Sequence, residues 1–167
     1  MIQKQKLATL CYLWDPSNRK VLLLHRIKKE NDMHQDKYIG LGGKLEPYES
    51  PRQGMLREIY EEAGIIPNDL TFRGTIYFKE KNNTNENRAL NYLVFIYRCT
   101  TNFQGNIKEV TNEGTFVWKH LDSEFQQLNL WEGDKIFVPK VLEEETIFEG
   151  FFEYTSEEEL IKFEFFE

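Results

Sequence analysis

The sequence predicts an α/β fold in which helices flank a mixed sheet. Three observations carry that expectation. Short runs rich in β-branched and aromatic residues recur along the chain, a capped amphipathic helix interrupts them after the second run, and no Pro/Gly/Ser-rich linker or internal repeat divides the chain. At 167 residues the chain fits one domain with a sizeable core, so residues 1–167 are read as a single domain.

Strands are expected near Lys6–Trp14, Val21–Ile27, Phe72–Phe78, Tyr92–Thr100 and Thr115–His120. The segment "DPSN" from Asp15 has the residues of a tight turn. "KNNTNENR" from Lys81 reads as a polar hairpin loop. A second helix is expected over Asp134–Glu143 despite Pro139, and the aromatic tail reads as two strands around a turn near Thr155–Glu159.

The first helix is the most fully specified element. Ser50 is an N-cap, Gln53 three residues on completes a capping box, and Pro51 takes the first helical position, where a missing N–H costs nothing. Gly64 stands where a left-handed C-cap is wanted, so the helix is Pro51–Ala63. Met55, Leu56, Ile59 and Ala63 give it a buried face. Its acids are the anomaly. Glu58, Glu61 and Glu62 stand at i, i+3 and i+4, so like charges share one face and crowd the end where the macrodipole disfavours anions. Arg52 and Arg57 are the only cations in the helix. An acidic helix face is usually just solvated. Here a glycine turn at Gly42–Gly43 and a further acid, Glu49, precede it, and a hard divalent cation would relieve the repulsion.

Gly43, five residues, Glu49, seven residues and then "REIYEEAGI" from Arg57 to Ile65 fill every fixed position of a long pattern. The stretch resembles an intact Nudix box, and with it the MutT-type branch of that family. The resemblance implies an α/β/α sandwich with a mixed sheet, and hydrolysis of a pyrophosphate in a nucleoside diphosphate-linked substrate with Mg²⁺, or Mn²⁺ as substitute. Carried over by position, Glu58, Glu61, Glu62 and the carbonyl of Gly42 are metal ligands, and Arg57 and Glu49 form an orienting ion pair. Glu113 in "VTNEGTFVW" matches an extra carboxylate near the metals, either ligand or general base, with a plain turn residue as the alternative.

Flanking segments resemble the 8-oxo-dGTP diphosphatases. On that resemblance Thr9, Met33, Phe78, Trp131 and Asp134 line a base pocket and Lys44 touches a phosphate. Trp131 would stack on a purine and Asp134 would bind its Watson–Crick edge. The alternatives are a core or rim tryptophan and an N-cap for the second helix. Two positions depart from the pattern: Ile39 replaces an asparagine that reads the base in animal oxidised-purine hydrolases, and Gly133 replaces the first of two aspartates. Other readings remain open: an RNA 5′-pyrophosphohydrolase, an ADP-ribose or dinucleoside polyphosphate hydrolase, or a non-catalytic nucleotide-binding module.

The net charge of −7 argues against stable nucleic-acid binding but not against a phosphate substrate, since metal ions can supply positive charge. Cys11 and Cys99 lie in apolar runs and read as buried free thiols, and His25, His34 and His120 as surface or strand residues. The apolar run Leu7–Trp14 is too short to span a membrane, so the expectation is a cytoplasmic enzyme, monomer or homodimer, acting on a small nucleotide.

Overall fold

The computed structural model of the chain describes residues 5–81 and 91–167. The polar stretch read as a hairpin loop lies, after Lys81, outside the described residues. A long mixed sheet is built around β1 (Lys6–Asp15), which pairs from Lys6 to Trp14 with parallel β7 (Tyr92–Thr100). Outward from β7 come antiparallel β6 (Thr71–Glu80), parallel β10 (Phe148–Tyr154) and antiparallel β11 (Leu160–Phe166). On its other side β1 is shared. Ala8–Cys11 pair with β4 (Leu41–Lys44), and Leu13–Asp15 pair with β2 (Lys20–Arg26). β2 in turn carries β3 (Tyr38–Ile39) and β9 (Gly114–His120). A separate two-stranded ribbon joins β5 (Ile65–Pro67) to β8 (Phe103–Gly105).

The period-two alternation of β1 feeds two cores. Cys11 and Leu13 face α1 (Pro51–Ala63) with Leu41, Met55, Ile59 and Ala63. Tyr12 and Trp14 face α2 (Glu132–Glu143) with Ile76, Phe137, Val141 and Phe152. The result is a helix on each face of a mixed sheet, as the sequence predicts. The α1 boundaries, its capping box and its Gly64 cap (φ 76°) are those read from the sequence. Cys11 and Cys99 are buried free thiols with sulfurs 3.6 Å apart.

Two expectations need correction, and a third is borne out. The glycine run at Gly42–Gly43 is strand β4 rather than a turn, because β1 supplies its hydrogen-bonding partner. The second helix begins at Glu132, two residues early, with Trp131 as N-cap residue; Asp134 is therefore inside the first turn and is not a cap. The 154–160 turn falls as expected, but it closes a hairpin that is built into the main sheet, with Thr155 N–H donating to Glu159 O at 2.8 Å.

The far end of α2 is held by two arginines. Arg73 of β6, 2% exposed, donates to the carbonyls of Glu144, Glu145 and Thr146. Arg98 of β7 donates to Leu142 O at 2.9 Å. These donors serve carbonyls that a helix C-terminus leaves unpaired, and they fix α2 across the sheet. Ile59 is fully buried between α1 and the sheet, so Ile59→Ala should destabilise the fold by about 2–5 kcal/mol in urea unfolding; a loss under about 0.5 kcal/mol would show that this core collapses around the gap.

Candidate active site

The capped helix and the glycine strand converge on one end of α1. A Cβ at Gly42 would lie 2.0 Å from the Thr9 carbonyl oxygen, and one at Gly43 would push on the Glu58 carboxylate from 2.5 Å, so glycine lets the strand pass between β1 and the acidic face. Arg57 holds the loop to the helix. It donates to both oxygens of Glu49, at 2.6 and 3.0 Å, and to the carbonyl of Lys44. The same guanidinium reaches Glu58 at 2.9 Å and Glu61 at 3.2 Å. Glu49 also accepts the N–H of Glu46 at 2.7 Å. These donors, Arg57 first, pull the Glu49 carboxyl down to about 2.

Glu62 behaves in the opposite way. Burial, a hydrogen bond to Glu58 and the charges of Glu58 and Glu113 push its carboxyl up to about 9, against a hydrogen bond from the Gly42 N–H. A carboxyl held protonated by burial and by neighbouring carboxylates marks a place short of positive charge. Glu61 shares the Arg57 nitrogen that bonds Glu58, but its side chain is 57% exposed. Glu113 is near enough to act on Glu62 but is tied to Arg26 at 2.8 Å and Lys29 at 2.9 Å. Among the described residues no three His, Cys, Asp or Glu side chains converge on one point as they stand. The chemistry of the Glu58–Glu62 pair fits a divalent cation all the same, since such an ion would take the place of the proton on Glu62.

Beside this pair opens a cavity of about 810 Å³ that runs across the α2 face of the sheet. Glu58, Glu62, Gly42 and Glu113 stand at its wall, and so do Thr9, Met33, Lys44, Phe78, Trp131 and Asp134. Thus one cavity brings together every candidate metal- or substrate-binding residue of the sequence reading except Glu61, with Glu49 and Arg57 also outside its wall. Thr9 makes a long 3.4 Å hydrogen bond to Gly43 O. Burial raises the Asp134 carboxyl to about 7, with Lys37 pulling the other way. Lys37 lies 4.8 Å over the Trp131 ring. Ile39, one of the two departures, also lines the cavity and offers no polar atom.

The sequence reading missed two residues here. His34, taken as a surface histidine, accepts the Trp131 indole N–H at Nδ1 (2.9 Å) and borders the cavity. Burial and Arg26 hold its imidazole down at about 4, so it is neutral at pH 7. Tyr154 of β10 is the other. Its hydroxyl accepts the Gly133 N–H at 2.8 Å, and its ring meets Trp131 edge-on at 5.8 Å. A Cβ at position 133 would lie 2.5 Å from that hydroxyl and 2.8 Å from Phe152. The Gly133 departure is therefore a packing consequence of the C-terminal hairpin. Neither residue carries a local signal, since only long-range packing brings them to the cavity.

With that geometry in view, comparison with known proteins is consistent. The NUDIX domain model matches residues 4–141. The uncharacterised Nudix hydrolase YvcI of Bacillus subtilis is 27% identical over 93% of this chain and 91% of its own length. The crystal structure of a mutator MutT protein from Bacillus halodurans superposes with a TM-score of 0.80 at 25% identity, covering 96% of this chain and 97% of that one. The NUDIX domain of Shewanella oneidensis NrtR, solved with ADP ribose, shares the fold at a TM-score of 0.57 and 18% identity, over 78% of this chain and 80% of that one.

The raised carboxyls make a pH prediction. Folded Glu62 keeps its proton to about 9, whereas its ordinary value is 4.5; Asp134 adds the same sign between its ordinary 3.8 and about 7. The native state then binds more protons than the unfolded chain, so stability falls as pH rises through this window. Metal-free protein should melt higher at pH 5.5 than at pH 8.5, and Mg²⁺ should restore much of the difference at the higher pH. Melting temperatures that are flat in pH and blind to Mg²⁺ would contradict both the pairing and the cation fit.

Proposed function

The chain belongs to the Nudix family, whose hydrolases act on phosphoric anhydrides, and on that premise we propose that it is a nucleoside triphosphate pyrophosphohydrolase. Its substrates are 8-oxo-dGTP or related oxidised purine nucleotides, cleaved to the monophosphate and pyrophosphate, and residues 1–167 act as one catalytic domain. The observation that carries this reading is the continuity of one cavity from the Glu58–Glu62 pair to an aromatic, Asp134-bearing floor. Such a shape suits a ligand with phosphates at one end and a flat heterocycle at the other.

Each part of the chain has a task in that reading. Glu58 and Glu62, with Gly42 beside them and Glu61 brought in from the rim, hold Mg²⁺ or Mn²⁺. When bound, the cation neutralises phosphate charge and acidifies the attacking water. Arg57 and Glu49 fix the acidic helix against the loop, so Glu58 and Glu62 are held in place and only Glu61 has to move in. Lys6, Arg26, Lys29 and Lys44 border the cavity and offset the phosphates' charge despite the acidic chain. Trp131 and Phe78 wall the base, and Asp134 binds its edge. Glu113, paired to Arg26 and Lys29, is placed to orient these cations or to take a proton once the substrate draws them away. No helix among the described residues is long and apolar enough to cross a membrane.

Incubation of the pure protein with 8-oxo-dGTP and Mg²⁺ should yield pyrophosphate and the monophosphate, and excess EDTA should stop turnover. Inorganic phosphate as the sole product, or turnover that survives EDTA, would refute the reading. Glu58→Gln should lower kcat by about a hundredfold or more while the protein stays folded, because it removes a charge needed in the transition state. Near-wild-type kcat for this variant in the same Mg²⁺ buffer would remove Glu58 from the metal site.

A further inference from the structure

Among the residues that line the cavity is a tyrosine whose buried hydroxyl the nucleotide reading leaves unused. Tyr12 of β1 is 1% exposed, and its ring meets Phe137 edge-on with centroids 6.2 Å apart. Its hydroxyl is buried with no hydrogen-bond partner among the described residues. Tyr12 nevertheless lines the cavity, together with Asp134 and Tyr154. The three are close enough that the charge of Asp134 and the phenol of Tyr154 both act on Tyr12.

Packing alone does not ask for a phenol here. A phenylalanine would fill the same space against Phe137 without burying an unsatisfied O–H, which costs stability wherever it is left unmade. The Tyr154 hydroxyl is different, because it already accepts the Gly133 N–H and so has a structural task. Both phenols retain a hydrogen to donate and a lone pair to accept with. Around them stand apolar surfaces from Ala8, Leu10, Phe78 and Val94. A flat ring with heteroatoms on its edge satisfies this arrangement, whereas an alkyl group or a bare phosphate does not.

We propose that Tyr12 is a specificity-determining residue whose hydroxyl pairs with an edge heteroatom of the substrate's purine, beside the atoms bound by Asp134. The inference rests on the nucleotide reading above and extends it. It also supplies a polar contact on a floor where Ile39 offers none.

The test is Tyr12→Phe, with Tyr154→Phe as its structural counterpart. Steady-state kinetics with Mg²⁺ are measured on 8-oxo-dGTP, dGTP and dTTP for both variants and the wild type, alongside thermal unfolding. For Tyr12→Phe, KM for the preferred purine should rise about tenfold, as expected where a site's hydrogen-bonding partner is lost. Its kcat should change less than its KM, and the preference over dTTP should shrink. Melting temperature should hold or rise, because an unpaired buried hydroxyl is gone. Tyr154→Phe should melt lower, since the Gly133 N–H loses its acceptor. Unchanged KM and preference in Tyr12→Phe overturn the inference, and so does a lower melting temperature with equal losses on all three nucleotides. If the wild type hydrolyses none of the three, the nucleotide reading fails first and takes the inference with it. A wild type that prefers the purines, matched by an equally selective Tyr12→Phe, sinks the inference alone.

Discussion

Arg57 donates to five oxygens at once: both of Glu49, one each of Glu58 and Glu61, and the carbonyl of Lys44. The site depends on this hub. Without it the acidic face of α1 would repel itself, and the loop after β4 would have no fixed relation to the helix. The bidentate fork suits a guanidinium and not an ammonium, so lysine could keep the charge but not the geometry. The pair is also partly sheltered, with about a fifth of the Arg57 side chain exposed. An arrangement of this kind fixes geometry more than it adds stability, because desolvation offsets much of the attraction.

Even with Arg57 in place the charge at this end of α1 is unbalanced. Burial beside Glu58 pushes the Glu62 carboxyl well above the usual carboxylate range, a local conflict that an ordinary surface helix would avoid. Conflicts of this kind concentrate where function needs them. A divalent cation bound here would compete with the Glu62 proton for the same oxygens, which would link cation binding, protonation and stability through one pair of side chains.

Legibility from sequence followed the range of the forces involved. The α1 boundaries were readable because Ser50, Gln53, Pro51 and Gly64 act on their own neighbours. The fixed spacing of the box likewise lies within 23 residues. β3, β4, β5 and β8 were not readable, since strands of two to four residues are defined by their partners rather than by a pattern. Gly42–Gly43 looked like a turn because glycine is weak in isolated strands, and pairing with β1 overrides that preference. Asp134 looked like a cap because its type suits one, while the actual boundary at Trp131–Glu132 came from how α2 seats on the sheet. His34 and Tyr154 carried no local signal, being separated from Trp131 and Gly133 by 97 and 21 positions.

The match to the family ends at residue 141, before the hairpin of β10 and β11 begins. Yet that hairpin decides the shape of the cavity. Tyr154 and Phe152 occupy the space that a side chain at position 133 would need, and Thr155, Ser156 and Glu158 stand on the cavity's rim. The acidic helix and its glycine strand lie within the matched region, while the hairpin adds wall residues at the far end of the cavity. Transferring a base preference from relatives by aligning position 133 alone would miss this, because the polar group nearest that position arrives from a different strand. Selectivity in this chain has to be read from the packed floor formed by β1, α2 and β10 together.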